Sequence, residues 1–330
     1  MRACSLLLLS SSLLLASDHI HERDFTFEYN ATAKDLPPGA QKVELWIPVP
    51  HDDPYQRITN LRVETPYPYK IQAGDQGNTI LYLEVDRPRQ SSIPVKVTFH
   101  AVRRERFQQL IPVASKTEVR SPSDLSRWLK PDRLVPIDGQ IHTWAREVVD
   151  AAHARTDLEM ARAIYDHIVA TVKYDKTGKG WGRGDIYYAC DARRGNCTDF
   201  HAIFIGYARA LGIPARFAIG FPLPEERGQG KIAGYHCWAE FYAKGIGWVP
   251  VDASEAAKNP AKRQYFFGAH DENRIELSKG RDLVLTPKQK GEPLNYFVYP
   301  YAEVDGKEYS GIDTEYAYHD RAAVAQAVAR

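Results

Sequence analysis

Residues 193–199 read Arg-Arg-Gly-Asn-Cys-Thr-Asp, and an apolar helical pattern begins directly after them, which places Cys197 in the first turn of a helix. Helix N-termini carry partial positive charge and unpaired N–H groups, and both favour a thiolate. Two further blocks follow in order, Tyr235-His236-Cys237-Trp238-Ala239-Glu240 and Gly247-Trp248-Val249-Pro250-Val251-Asp252. A thiol, an imidazole and a carboxylate on three successive elements are the equipment for acyl transfer through a thioester.

The surrounding residues suit that chemistry. Gly195 permits a sharp turn into the helix, Asn196 is a good N-cap, and Asp199 can return a bond to the Asn196 N–H as in a capping box. The Asp199 charge opposes a thiolate, so an imidazolium partner is needed. Two histidines offer one. His201 lies one turn after Cys197 on a stripe otherwise filled by Phe204, Ala208 and Leu211, which suits the border of a core. His236 opens a strand, and a tight hairpin at Lys244-Gly245 brings Asp252 back beside it, so a carboxylate can orient the imidazole. We therefore take Cys197, His236 and Asp252 as the candidate catalytic residues. Trp181, Tyr188 and Asn196 are candidates for oxyanion binding or for lining the cleft. Zinc on Cys197, His236 and Asp252 would have acceptable ligand types but lacks the paired spacing of metal sites, so no metal or cofactor is expected.

Taken together, the blocks resemble the transglutaminase-like superfamily of papain-related thiol enzymes. The residues carrying the resemblance are Gly195-Asn196-Cys197, Gly212-Ile213-Pro214-Ala215-Arg216, His236-Cys237-Trp238-Ala239-Glu240 and Gly247-Trp248-Val249-Pro250-Val251-Asp252, over roughly residues 140–255. The resemblance implies an α+β fold, with a helix-borne cysteine packed on an antiparallel sheet. It also implies Cys197 as nucleophile, His236 as general base and acid, and Asp252 as its orienter. The tryptophan that helps bind the oxyanion in animal members has no clear counterpart in the motifs, and Trp181 is the candidate for it. The calcium-binding and barrel domains of those members have no counterpart here, so the resemblance implies thiol chemistry rather than cross-linking.

The elements that must position these residues read as follows. Alternating patterns at Asp24–Ala33, Lys42–Val49, Thr79–Val85 and Pro94–Val102 suggest a small β-sandwich, a packing or partner-binding module. Helices are expected over Gln140–Ala152, Asp157–Val172 and Thr198–Leu211, with an irregular aromatic stretch over Lys173–Arg194. Strands follow at Ala215–Phe221, His236–Tyr242 and Trp248–Asp252, and more at Leu283–Leu285 and Tyr296–Val298. The expected organisation is a signal peptide at 1–17, an N-terminal β domain at 18–120, a linker at 121–139, a catalytic domain with C-terminal strands at 140–311, and a tail at 312–330.

Composition narrows the function classes. Lys plus Arg number 43 against 42 Asp plus Glu, which leaves no field to gather nucleic acid. Met1-Arg2 followed by the apolar Leu6–Leu15 reads as a secretory signal, too short to span a membrane. A periplasmic or secreted protein is expected, acting on a protein or peptide substrate, cell-wall peptide among the candidates. The alternatives are a cross-linking transglutaminase and a non-catalytic scaffold of the same fold. Export would leave three cysteines, and two readings stay open for the spare pair: a Cys190–Cys237 bridge, or two buried free thiols.

Overall fold

The computed structural model describes residues 20–111 and 125–321. The expected leader over 1–17 and the end of the tail lie outside the described residues. The chain begins with six strands, β1 (Glu22–Ala33), β2 (Lys42–Val49), β3 (Gln56–Glu64), β4 (Tyr69–Ala73), β5 (Thr79–Asp86) and β6 (Ile93–Arg104), then a short β7 (Arg106–Phe107). Strict alternation makes β1 half-buried: Phe25, Phe27, Tyr29, Ala31 and Ala33 all face inward.

Three helices and two short strands follow: α1 (Gly139–Ala151), α2 (Asp157–Thr171), β8 (Lys173–Tyr174), α3 (Ile186–Ala192) and β9 (Arg194–Gly195). Each helix starts on a side-chain cap, from Asp138, Thr156 and Asp185 respectively. Helix α3 lies inside the stretch expected to be irregular. Its seven residues are too few to display a 3.6 period, and Asp185 nucleates it by accepting the Tyr187 and Tyr188 N–H groups at 3.1 and 3.3 Å.

Helix α4 (Cys197–Ala210) is buried along nearly its whole length. It packs on a four-stranded antiparallel sheet whose members are β10 (Ala215–Pro222), β12 (His236–Ala243), β13 (Gly247–Val251) and β15 (Arg274–Lys279). The sheet order is β13-β12-β10-β15. Between these strands lie β11 (Gln229–Ile232), helix α5 (Ala253–Lys258) and β14 (Ala269–His270). Strands β12 and β13 form the expected hairpin, with Ala239 opposite Val251.

The C-terminal strands do not extend this sheet. Strands β16 (Tyr301–Val304), β17 (Lys307–Glu308) and β18 (Ile312–Asp320) return to the N-terminal module, where β16 pairs with β2 and β18 with β1. The module is thus two five-stranded sheets, β11-β18-β1-β6-β3 and β17-β16-β2-β5-β4. Residues 312–320, expected as part of a tail, supply the longest of the returning strands. The reason is visible in β18 itself: Tyr316 and Tyr318 are buried, and Asp320 receives Arg23 through two bonds of 2.8 Å. Leu283, Leu285 and Phe297, expected in strands, are instead buried in loops around Trp46, Tyr82 and Tyr301. A short apolar run cannot distinguish a strand from a loop covering a sheet.

Both modules share a continuous core. The Phe221 ring from β10 lies 5.6 Å from Phe27 and 4.2 Å from Tyr316. A buried ion cluster adds to the joint: Glu240 on β12 accepts from Arg106 of β7 at 2.5 Å and from Arg216 of β10 at 2.8 Å. Arg216 also stacks 4.0 Å over Trp248, and the Arg106 Nη2 donates to the Trp248 carbonyl. Glu240 and Trp248 of the sequence blocks are therefore structural. Glu240→Ala would strand two arginines in the interior, so we expect about 3–5 kcal/mol of lost stability, read as a lower urea midpoint. An unchanged midpoint would remove this cluster from the joint between modules.

Candidate functional site

The site forms where the N-terminus of α4 meets the start of β12. Asn196 caps α4, its Oδ1 accepting the Thr198 N–H at 2.9 Å, while Asp199 accepts the Asn196 N–H at 2.9 Å. This is the capping box expected from the sequence. The Asp199 carboxylate is also bonded by the N–H groups of Gly182 (2.7 Å) and Gly184 (3.0 Å), which ties the loop after Trp181 to the helix. A Cβ on Gly195 would collide with that carboxylate, so only glycine allows the close approach. Burial raises the Asp199 pKa, with the three N–H groups opposing the shift.

Cys197, His236 and Asp252 converge. His236 Nε2 lies 2.7 Å from Asp252 Oδ2, and the imidazole is in hydrogen-bonding contact with the Cys197 thiol. Since Nε2 faces the carboxylate, Nδ1 is the nitrogen left for the sulfur. Cys197 is 2% exposed and His236 5%, so both sit in a low dielectric where charge pairs act strongly. Burial disfavours the thiolate, but hydrogen bonds from Cys237 and His236 and the charge of the imidazolium more than offset it, leaving the Cys197 pKa well below that of an ordinary thiol. Burial likewise opposes the imidazolium, while the Asp252 charge and hydrogen bond carry His236 up to about 10. Asp252 stays ionised against burial because His236 and Arg274 surround it. Its other oxygen accepts the Ser254 hydroxyl and the Glu255 N–H, both at 3.0 Å, so it caps α5 as well.

The remaining candidates separate. Asn196 is occupied with structure: besides capping, its Nδ2 donates to the Tyr235 hydroxyl at 2.9 Å. Trp181 is half-buried on the loop that Asp199 holds. Tyr188 packs its ring beneath Gly180, where a Cβ would come within 2.7 Å of it. His201 is fully buried, with Nε2 3.7 Å from Asp252 Oδ1 and Nδ1 3.8 Å from the Cys237 sulfur, so it sits behind the carboxylate.

The cysteines decide between the two readings left open. All three described cysteines are free. Cys190 lies 3.5 Å from the Tyr207 hydroxyl, whereas Cys237 lies 3.7 Å from Thr198 Oγ1 and touches Cys197. A Cys190–Cys237 bridge is therefore not formed. Alternation along β12 does turn Cys237 to the opposite face from Trp238 and Glu240, but that face carries α4. His236, at the first position of the strand, reaches the same sulfur from the end of the sheet.

Two neighbours were missed by sequence reasoning. Tyr235 reaches across to Asn196 and Thr198, both at 2.9 Å, and its position next to His236 was the only available signal. Arg274 Nη1 lies 3.2 Å from Asp252 Oδ2, and nothing in the sequence marks it.

Residues 142–253 match the model of the transglutaminase-like superfamily. This segment is similar to a transglutaminase-like core. The matched span contains Cys197, His236 and Asp252 and agrees with the extent read from the motifs. The chain is 27% identical to an uncharacterized protein of Haemophilus influenzae, over 91% of this chain and 90% of that one. A crystal structure from Cytophaga hutchinsonii, named provisionally as a cysteine protease, superposes with a TM-score of 0.63 over 92% of each chain at 17% identity. That likeness shows that the β module and the transglutaminase-like core recur together as one fold. The periplasmic domain of TgpA from Pseudomonas aeruginosa aligns over 73% of this chain and 93% of that one, at 15% identity and a TM-score of 0.37. Among the described residues no helix is long and apolar enough to cross a membrane.

Proposed function

We propose that this protein is a thiol acyl-transfer enzyme acting on amide bonds, in which Cys197 is the nucleophile, His236 the general acid and base, and Asp252 its orienter. The observation that carries the reading is the His236 ring held at 2.7 Å by Asp252 with its other nitrogen turned to a thiol in the first turn of α4. The Cys197 thiolate attacks the amide carbonyl carbon and the carbonyl electrons move to oxygen. The Cys197 N–H, the first of α4, is the donor expected to receive that oxyanion, since the next three are bonded to Asn196. As the carbonyl reforms, the C–N bond breaks and His236 gives its proton to the departing amine. The neutral imidazole then takes one proton from water, whose oxygen attacks the thioester and releases the thiolate and a carboxylic acid, which gives its remaining proton to solvent.

Hydrolysis is the default for a thioester open to water, so peptidase or amidase action is favoured over cross-linking. The Met1–Ser17 sequence supports export, and a protein or peptide substrate follows from the amide chemistry. The test is to incubate the protein with mixed peptides and excess primary amine, with products read by mass. Fragments ending in free carboxylates are expected. Peptides joined to the amine without cleavage to acid would favour transfer, and no change in any peptide would favour a binding scaffold.

A further inference from the structure

Arg274 stands at the head of β15, 3% exposed, with its guanidinium inserted among the groups that hold His236. Its Nη1 lies 3.2 Å from Asp252 Oδ2, the same oxygen that faces His236 Nε2 at 2.7 Å. A cation and an imidazole thus share one acceptor atom. Nη2 lies 3.5 Å from Asp271 Oδ2, and the guanidinium sits 5.1 Å from the Trp238 ring, which is itself 6.2 Å from the His236 ring. Burying an arginine is costly unless its neighbours compensate. The cap of α5 does not require it, because Ser254 and the Glu255 N–H already fill the other oxygen of Asp252.

We propose that Arg274 is a positioning residue that shares the Asp252 carboxylate with His236 and so governs how firmly the imidazole holds its proton. The inference rests on the roles given above to Cys197, His236 and Asp252. An imidazolium facing an unshared buried carboxylate keeps its proton too tightly to serve as an acid, since proton transfer is most effective when the donor's pKa lies near the working pH. Arg274 withdraws part of that negative charge and fixes the plane of the carboxylate.

The other groups facing His236 frame the effect. Cys197 and His201 approach from α4, Cys237 from its own strand, and Asp252 and Glu255 from α5 and its cap, with Glu255 Oε1 3.8 Å from Nε2. A recess of about 140 Å³ beside the ring adds Glu225 and Lys262, which pair with each other, and Asp271. His270, beneath Trp238, is kept neutral by burial and by Arg274. Arg274 is the arginine bonded to the shared carboxylate, so its loss has a definite sign. Without it the Cys197 thiolate loses a stabilising charge and the His236 imidazolium loses a repelling one. Both pKa values rise.

The test is the pH dependence of Cys197 alkylation by iodoacetamide in the intact protein. In Arg274→Gln the acid limb is expected to move up by about 0.5–2 pH units, and Arg274→Lys, which keeps the charge, to restore most of that shift. Asp271→Asn frees Arg274 from its second carboxylate and is expected to move the limb down. An unmoved limb in Arg274→Gln, or movement of Arg274→Gln and Asp271→Asn in the same direction, overturns the proposal. Should Arg274→Gln not fold, Asp271→Asn decides alone, and the absence of a downward shift overturns it. Failure of the parent reading would show separately, as an ordinary thiol profile in the unsubstituted protein.

Discussion

Cys197→Ala is expected to lower amide cleavage by about 10⁴-fold or more, because every bond-making step passes through that sulfur. The fold should survive. Alanine is favourable in a first helical turn, and the Asn196–Asp199 capping box does not use the thiol. Cys197→Ser should be nearly as inactive, since a hydroxyl does not ionise beside His236. The adjacent Cys237 makes the comparison demanding, because it lies in contact with Cys197 and is equally buried. Its thiol is pushed well above the ordinary value, by burial and by the neighbouring Cys197. Cys237→Ala should therefore keep activity within about tenfold, the scale of one lost hydrogen bond. Rates of cleavage on a responsive peptide check both, and an active Cys197→Ala protein would move the chemistry to another residue.

His236→Ala carries the second large effect, a loss of about 10²–10⁴-fold from removal of the general acid and base. The thiolate also loses its imidazolium. The substitution leaves a space, so added imidazole should recover part of the rate. His201→Ala is expected to act differently. His201 lies 3.7 Å from Asp252 and is fully buried, so its loss opens a cavity and lowers the melting temperature with a smaller change in rate. Equal rate losses for the two variants in folded protein, or no recovery with imidazole in His236→Ala, would count against His236 as the acting base.

Much of the site was legible because its signals are local. The Asn196–Asp199 box depends on residues three apart, and the hairpin at Lys244-Gly245 fixes where Asp252 meets His236. The strands of the β module that alternate cleanly were legible for the same reason. What escaped depends on contacts distant in sequence. Arg274 meets Asp252 through the return of β15 to the sheet edge, and no periodicity announces that. Strand β18 pairs with β1 across almost the full length of the chain, so its short apolar alternation reads as a tail until the partner is known. The contact of Cys237 with α4 was not legible, because alternation tells which residues share a face and only packing tells which face carries the helix. Strands β3 and β4 sit at sheet edges with mostly exposed side chains, which removes the pattern that would mark them.

The account turns on Cys197 resting as a thiolate beside a protonated His236. His236 holds its proton up to about 10, and burial of Cys197 is outweighed by its partners, so the pair should persist from well below the ordinary thiol range to near pH 10. Below the Cys197 pKa the sulfur takes up a proton, and above that of His236 the acid needed by the leaving amine is lost. Alkylation of the native protein with iodoacetamide, quantified at the Cys197 peptide across pH, reads the first limb directly. The account predicts half-maximal reactivity well below the ordinary thiol value of about 8.5, with Cys190 and Cys237 reacting only at higher pH. A Cys197 profile centred at or above that ordinary value would contradict it.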